Sequence, residues 1–520
     1  MMRRTTTLML AAGLLALPAG ASGADEPPDE QLRAYWVDAF NEGIYSEEEV
    51  EHLVAEAEDL GANALIVQVG RRFDCFCNES AFPRTDAGIE PAPYDPLATV
   101  IEHAHAADIE VHAWINATTL WNQATPPSSE DHAFNQHGPD ADGEDRWLAQ
   151  REDGEELIGA NAYIDPGHPD AAAYVVDGVT SIIDAYDVDG VNLDYIRYPD
   201  FNDPLYESQW GYNETALEQF QLATGRDDRP APDDEEFSDW RRAQVTTLVR
   251  NIYLDAYAAD PSVNVSVNTT TYAFGPQSEG GWEQTRAYSE VLQDWRAWME
   301  EGIVDLNVPM NYKRNWMDDQ QQMYEEWNEV IADWQYDRHA VVGSAIYLNE
   351  VADSVAQVRS ALEPTVAGNE VVGWVGYSYA TPSLSVLEGR AEADEERAAL
   401  TEALTEDDPH GEAPAFGEPA VVPEMVWKTQ PTKGHVAGDV VTADDGPVAQ
   451  AVVELIDRET GEVVSTTRTN GTGWFGFVDA DPGRYLVRLA PGRTTGPPVE
   501  QLEVEAGAVT EVALRPRGQR

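Results

Sequence analysis

Val188-Asp189-Gly190-Val191-Asn192-Leu193-Asp194-Tyr195-Ile196-Arg197-Tyr198-Pro199 decides how the first four hundred residues are read. Side chains alternate faces along a β-strand. Val191 and Leu193 therefore share one face, and Asn192 and Asp194 share the other. The run ends on a carboxylate followed at once by two tyrosines and an arginine. One inward polar residue is ordinarily a satisfied core group. The same phase recurs on other strands, however. His112, Trp114 and Asn116 oppose Val111, Ala113 and Ile115; Asn264, Ser266 and Asn268 oppose Val263, Val265 and Val267. Asn307 and Asn311 oppose Leu306, Val308 and Met310, and Gln68 and Asp38 share the inward phase of the first two strands. Buried polar groups cost free energy unless paired, so a polar set in phase on six strands points to a pocket.

Outward from this strand, short apolar runs alternate with amphipathic helical stretches. The strand candidates are Ala34–Phe40, Ala64–Gly70, Val111–Ala117, Gly190–Tyr195, Val263–Thr269, Asp305–Asn311, Val341–Leu348 and Val371–Tyr379. Between them lie helical patterns at Glu47–Leu60, Pro96–Asp108, Ala171–Tyr186, Asp239–Ala259, Gln284–Glu301, Asp318–Trp334 and Val351–Leu362, with a last one around Leu384–Leu404. Eight β/α units predict a (β/α)8 barrel of the α/β class. The open doubly wound sheet usually carries a Gly-rich phosphate loop after its first strand, and none is present. Two long insertions, 118–160 and 200–239, follow the third and fourth strands. That is the end where barrel enzymes carry their active-site loops.

The barrel is expected over 33–408, a Pro-rich packed linker over 409–432, and an all-β sandwich over 433–517. Six strand runs, Val436–Val441, Ala451–Asp457, Val463–Thr469, Gly473–Val478, Tyr485–Ala490 and Val499–Leu514, are separated by turn signals such as Asn470-Gly471. Residues 1–24 read as a signal peptide: Arg3-Arg4, an apolar core Leu8–Leu17, then small-residue cleavage sites. This predicts an exported protein, periplasmic or extracellular, without a membrane anchor.

The chain holds 95 acidic and 32 basic residues, a net charge of −63, beside 15 Trp, 21 Tyr and 12 Phe. Such aromatic content indicates a folded chain rather than an acidic disordered one. The acid is spread along the whole length, as suits a hydrated surface in high salt. Nucleic-acid binding is disfavoured, since phosphates need clustered Lys and Arg. Cys75 and Cys77 are read as two free or buried thiols, because a bridge between them would close a very tight ring.

Glycoside hydrolysis needs two carboxyl groups flanking the scissile bond. Asp194 is the first candidate, with Arg197 placed to hold it ionised, as suits a nucleophile or base. Asp74 and Asp38 are candidates for the second carboxylate. Asp165 in Ile164-Asp165-Pro166-Gly167-His168 reads equally as a helix cap. No Glu stands at a strand tip in the inward phase. Aromatics near strand ends, including Trp36, Trp114, Trp121, Trp147, Tyr195, Tyr198, Tyr312, Trp316 and Trp374, suit the C–H faces of sugar rings. A metal hydrolase built on His112, His168 and Asp194 is the rival chemistry, though no H-E-x-x-H is present. No serine sits in a G-x-S-x-G and no cofactor is assigned.

Several stretches resemble the glycosyl-hydrolase-like 10 family of bacterial exported proteins. They are Arg33-Ala34-Tyr35-Trp36-Val37-Asp38-Ala39-Phe40, Val67-Gln68-Val69 with Asp74, Tyr94-Asp95-Pro96-Leu97, Val111-His112-Ala113-Trp114-Ile115-Asn116, Asn135-Gln136-His137-Gly138-Pro139, Asp165-Pro166-Gly167-His168-Pro169 and the opening stretch. They occur in the family's order over 33–390. The resemblance implies a (β/α)8 barrel and glycoside hydrolysis, with peptidoglycan glycan strands as one implied substrate class. Phe73-Asp74-Cys75-Phe76-Cys77 departs from the family's G-D-A-Y-Y, and Asn192 stands where relatives often have His. Gly446-Pro447-Val448, Gly473-Trp474-Phe475-Gly476-Phe477 and Pro482-Gly483-Arg484-Tyr485 resemble carboxypeptidase regulatory-like, transthyretin-type modules.

Together these readings give a candidate substrate-binding set: Trp36, Gln68, His112, Trp114, Asn116, His137, Asp165, His168, Asn192, Tyr195, Arg197, Tyr198, Asn268, Asn311, Tyr312 and Trp374. The expected partner is a polysaccharide. An endo-acting glycoside hydrolase leads, and a non-catalytic polysaccharide-binding barrel follows.

Overall fold

The computed structural model describes residues 29–406, 413–490 and 498–515. The expected signal peptide at 1–24 lies outside them. Eight parallel strand positions close into a barrel: β1 (Leu32–Val37), β2 (Ala64–Gly70), β3 (Glu110–Asn116), β4 (Gly190–Asp194), β5 (Asn264–Thr270), β6 (Leu306–Met310), β7 (Val342–Ala345) and β8 (Gly373–Tyr377). β8 pairs with β1 and β5 pairs with β6, which completes the ring. A two-residue strand, His339–Ala340, precedes β7 and also pairs with β6.

Helices alternate with the strands: α1 (Glu47–Leu60), α2 (Pro96–Ala106), α3 (Pro169–Ala185), α4 (Glu235–Ala259), α5 (Trp295–Glu301), α6 (Asp318–Asp333), α7 (Val351–Leu362) and α8 (Ala393–Thr405). Local signals set their ends. Ser46 caps α1 by accepting from the Glu49 N–H, and Gly61 ends it in the left-handed conformation. The continuous helix expected over Gln284–Glu301 is instead three pieces, Trp282–Gln284, Arg286–Ser289 and α5, with Leu292 at φ 57° between the last two. Among the described residues no helix is long and apolar enough to cross a membrane.

The alternation expected for β1 to β5 is observed. Leu65, Val67, Val111, Ala113, Val191, Leu193, Val265 and Val267 pack outward under the helices. Ala34, Trp36, Ile66 and Trp114 fill the interior. β6 breaks the expectation. Leu306 is the register partner of Ser266 and Val308 that of Asn268, so these apolar residues point inward. Asn307 and Asn311 point outward and are satisfied there. Thr269 Oγ1 donates to Asn307 Oδ1 at 2.7 Å, and Asn311 Nδ2 donates to Tyr324 O and Asn328 Oδ1 at 3.0 and 2.9 Å. Asn311 is therefore a strand–helix tie rather than a pocket residue. Trp374 is corrected likewise: it faces outward, with its ring 6.0 Å from Phe416.

A second correction concerns the cysteines. Cys75 and Cys77 form a disulfide, with the chain bent between them so that their Cα atoms lie 5.0 Å apart.

Residues from 434 onward form two sheets: β9 (Gly434–Val440), β12 (Trp474–Ala480) and β15 (Val509–Leu514) in one; β10 (Val452–Asp457), β11 (Val463–Arg468), β13 (Gly483–Leu489) and β14 (Val499–Val504) in the other. The run read as one strand over Val499–Leu514 is two, turning at Gly507 with φ 73°. The sheets share a core of Val436, Val453, Phe475, Phe477, Val487 and Leu514.

This all-β part packs along the barrel's flank, from Pro169 at the start of α3 down α4 to the far end. Arg338, just before β7, donates to Asp479 at 2.8 Å, and the His435 ring packs 4.5 Å from that of Tyr257. The connecting strap enters the same end. Asp305 accepts from Trp427 Nε1 at 2.7 Å and pairs with Lys428 Nζ at 2.7 Å, and its other contact is the Val265 N–H. Lys428 also donates to the Val263 carbonyl.

Candidate active site

The opposite, C-terminal end of the barrel opens into a cleft of about 600 Å³. The strand tips give it a polar and an aromatic side, although Trp114, Tyr195 and Tyr272 stand among the polar groups and Lys313 and Arg314 beside the aromatic ones. Gln68, Asn116, Asp194, Asn268 and Thr270 come from β2 to β5 and make one side polar. Trp36, Met310 and Tyr377 of β1, β6 and β8, with Tyr312 and Tyr347 just past β6 and β7, make the other apolar and largely aromatic. Gly343 makes room for this wall, since a Cβ there would come within 2.3 Å of the Trp36 ring.

Strand register builds the polar half. Asn116 lies opposite Asp194, and one step below Trp114 lies opposite Asn192 and Asn192 opposite Ser266. Asn116 is the hub: its Oδ1 accepts from Trp114 Nε1 at 3.0 Å and Gln68 Nε2 at 3.3 Å, and its Nδ2 donates to Arg71 O at 2.9 Å. Gln68 in turn accepts from the Ala39 N–H. Asn192 donates to Ser266 Oγ at 2.9 Å and lies beneath the cleft rather than in its wall.

Asp194 is 4% exposed and lines the cleft. Its Oδ1 accepts the Tyr195 N–H at 2.7 Å, and Tyr195 takes φ 49° to make that turn. Thr118 pins the turn by donating to the Tyr195 and Arg197 carbonyls. Burial pushes the Asp194 pKa up, and the Tyr195 N–H, the Arg197 charge, Asn268 and Trp114 only partly oppose it. This reverses the expectation that Arg197 holds Asp194 ionised. The Arg197 guanidinium is instead turned toward Asp200, 3.7 Å away, and lies over the Tyr195 ring at 4.8 Å.

Asp200 is the second carboxylate of the cleft. Burial alone would raise its pKa, but the Arg197 charge and a 2.8 Å bond from the Tyr272 hydroxyl outweigh it, so it stays ionised below the usual carboxylate range. Two carboxyls of one cleft are thus pushed in opposite directions. Asp319 also lines the cleft, at the exposed start of α6.

Several candidates lie elsewhere. Asp74 is buried behind the cleft wall, where it accepts from the Arg72 N–H at 3.1 Å and Thr85 Oγ1 at 2.7 Å. Asp38 sits in phase at the tip of β1, but its Oδ1 is taken by the Phe40 N–H and Asn41 Nδ2. Asp165 accepts from Tyr198 Oη and the Gly167 N–H, each at 2.9 Å, and burial raises its pKa to about 6. Asp165 and Tyr198 form a closed pair under the loops, outside the cleft. His168, not Asp165, caps α3. His112 sits low in the barrel, over Gly190 and against Glu110 at 3.2 Å. His137 stacks on Trp147 at 3.6 Å, away from the cleft. His112, His168 and Asp194 do not converge, so the metal triad is not assembled. Among the described residues, groups of three possible ligands gather only at the surface, as Glu47/Glu51/His103 and His52/Glu56/Asp394. Trp36, Gln68, Trp114, Asn116, Tyr195, Arg197, Asn268 and Tyr312 do line the cleft with Asp194. Sequence reading missed Asp200, Tyr163, Tyr272, Lys313, Tyr347 and Tyr377. Most lie one to six residues past a strand, where alternation no longer guides the eye.

A closed (β/α)8 barrel with an open, aromatic-walled cleft at its C-terminal end, holding two oppositely tuned carboxyls, is the architecture of the carbohydrate-active barrels. The chain belongs to the glycosyl hydrolase-like 10 family, whose model matches residues 31–361. It is 24% identical over 523 residues to the glycosyl hydrolase YngK of Bacillus subtilis, covering 91% of this chain and 87% of that one. It is also 24% identical over 267 residues to the glycosyl hydrolase DigH of Escherichia coli, covering 49% of this chain and 55% of that one. Among solved structures, the catalytic domain of β-amylase from Paenibacillus polymyxa is similar in fold, with TM-score 0.50 and 10% identity over 72% of this chain and 98% of that one. The PgaB (BpsB) glycoside hydrolase domain from Bordetella bronchiseptica gives TM-score 0.48 and 14% identity over 72% and 99%.

Proposed function

We propose that this protein hydrolyses glycosidic bonds in a polysaccharide, with Asp194 as general acid and Asp200 as the ionised partner that attacks or activates water. The opposed settings of these two carboxyls in one cleft carry the reading. Environments that push paired carboxyls apart are how such sites divide the acid and base roles. A buried Asp194, its pKa raised by burial, can give a proton to the leaving oxygen. Asp200, held ionised by Arg197 and Tyr272, supplies the negative charge. The tyrosine and tryptophan wall offers faces for sugar rings, and the amides opposite it offer donors and acceptors for hydroxyls.

The chain is read as exported, with residues 1–24 as its leader, and the C-terminal sheets as a carboxypeptidase regulatory-like spacer. Peptidoglycan glycan strands are the first polymer to try, with neutral glucans beside them. New reducing ends are the readout. Asp194→Asn should lower the rate by about 10²–10⁴-fold, and Asp200→Asn comparably. Undiminished release by Asp194→Asn would end the assignment. Binding of polymer without any release by the wild-type protein would favour a non-catalytic glycan-binding barrel.

A further inference from the structure

The chain has only three lysines, Lys313, Lys428 and Lys433, against 95 acidic residues. Lys428 pairs with Asp305 at 2.7 Å and Lys433 with Asp481 at 2.6 Å. Lys313 has no carboxylate partner among the described residues. It is 6% exposed, and it lines the cleft three residues past β6. Its Nζ makes one hydrogen bond, to the Thr271 carbonyl at 2.7 Å. An ammonium has three donors, so two remain.

The backbone around it is held firmly. Asn349 Nδ2 and Gln357 Nε2 donate to the Lys313 carbonyl at 2.9 and 3.0 Å. Arg314, the next residue, also lines the cleft. Burial pulls the Lys313 pKa down to about 7, as expected of a cation with nothing nearby to hold its charge. Burying an unpaired ammonium is costly. A chain so rich in acid could place a carboxylate beside it from many positions, and among the described residues none is placed there.

We infer that Lys313 receives its counter-charge from the substrate, so that it is a specificity-determining residue for a glycan whose sugars carry carboxylates. The inference rests on the reading of this cleft as a glycan site. The shared chemistry is a sugar carboxylate, and two sources supply it: the lactyl ether of a muramic-type residue, or a uronic acid.

Binding can be measured without turnover on the Asp194→Asn background, by calorimetric titration. The probes are peptide-free murein glycan strands and oligogalacturonate, each before and after chemical reduction of its carboxyls to alcohols. At least one carboxylated probe should bind ten-fold or more tightly than its reduced form, and the probe that does so identifies the source. In Lys313→Gln that preference should shrink to two-fold or less, whereas Lys313→Arg should keep most of it. The inference is overturned if neither carboxylated probe binds, if the reduced forms bind equally well, or if Lys313→Gln keeps the preference. The comparison of probes on the parent protein decides even if Lys313→Gln does not fold. A wild-type protein that discriminates between the probes yet releases no reducing ends would refute hydrolysis and leave this inference standing.

Discussion

Asp194 and Asp200 are six positions apart in the chain and in unlike settings. One is enclosed at a strand tip; the other is met by a guanidinium and a phenol. If they act as acid and base, the sign of the pH response follows. Asp194 must be protonated, so activity falls as pH rises through a pKa lifted by burial. Asp200 must be ionised, so activity falls as pH drops through a pKa held below the usual range. A profile of kcat/KM against pH should therefore be bell-shaped. Tyr272→Phe removes one of the groups holding Asp200 down, and should move the acidic limb up by about 0.5–1 pH unit while the alkaline limb stays. An acidic limb that does not move in Tyr272→Phe would detach Asp200 from the rate.

At the scale of elements, β1 to β5 were legible because valine and leucine alternate cleanly with polar residues there. β6 was not. Its asparagines are polar toward the helices, where Thr269 and Asn328 satisfy them, and a lone sequence shows polarity but not the partner that answers it. Loop-borne groups escaped for a related reason: Asp200 and Lys313 lie past the strand tips, where no period fixes a face. Asp74 and Asp165 looked catalytic by position, but Asp74 is held by Arg72 and Thr85 of its own loop, and Asp165 by Gly167 and, across loops, by Tyr198. The strap at the barrel's far end offers a test of packing. Lys428 and Asp305 are 2% and 0% exposed at the side chain. Breaking a buried pair by removing one member costs about 3–5 kcal/mol. Lys428→Met should thus lower the unfolding free energy by that amount in denaturant titration, while the cleft, at the other end, keeps its KM.

For the molecule as a whole, the charge of −63 is spread over the chain. Self-repulsion of this size is screened as the Debye length shrinks from about 10 Å at 0.1 M salt to about 3 Å at 1 M. The melting temperature should therefore climb steadily between those concentrations of sodium chloride. A flat or falling response would mean that repulsion is not what limits stability. The reading of the surface as one suited to brine would then go.

The barrel's closed end has a consequence for traffic. Leu32, Ala34, Ile66, Leu306, Val308, Val341 and Val375 occupy the interior, and Val422 of the connecting strap packs against them from the far side. The cavity is a bowl, not a tunnel. A long chain cannot be threaded through it end first; it has to be laid across the rim and leave the way it came. If the proposed hydrolysis holds, both fragments must back out through the mouth by which the chain entered, so added short product should slow the reaction in competition with polymer.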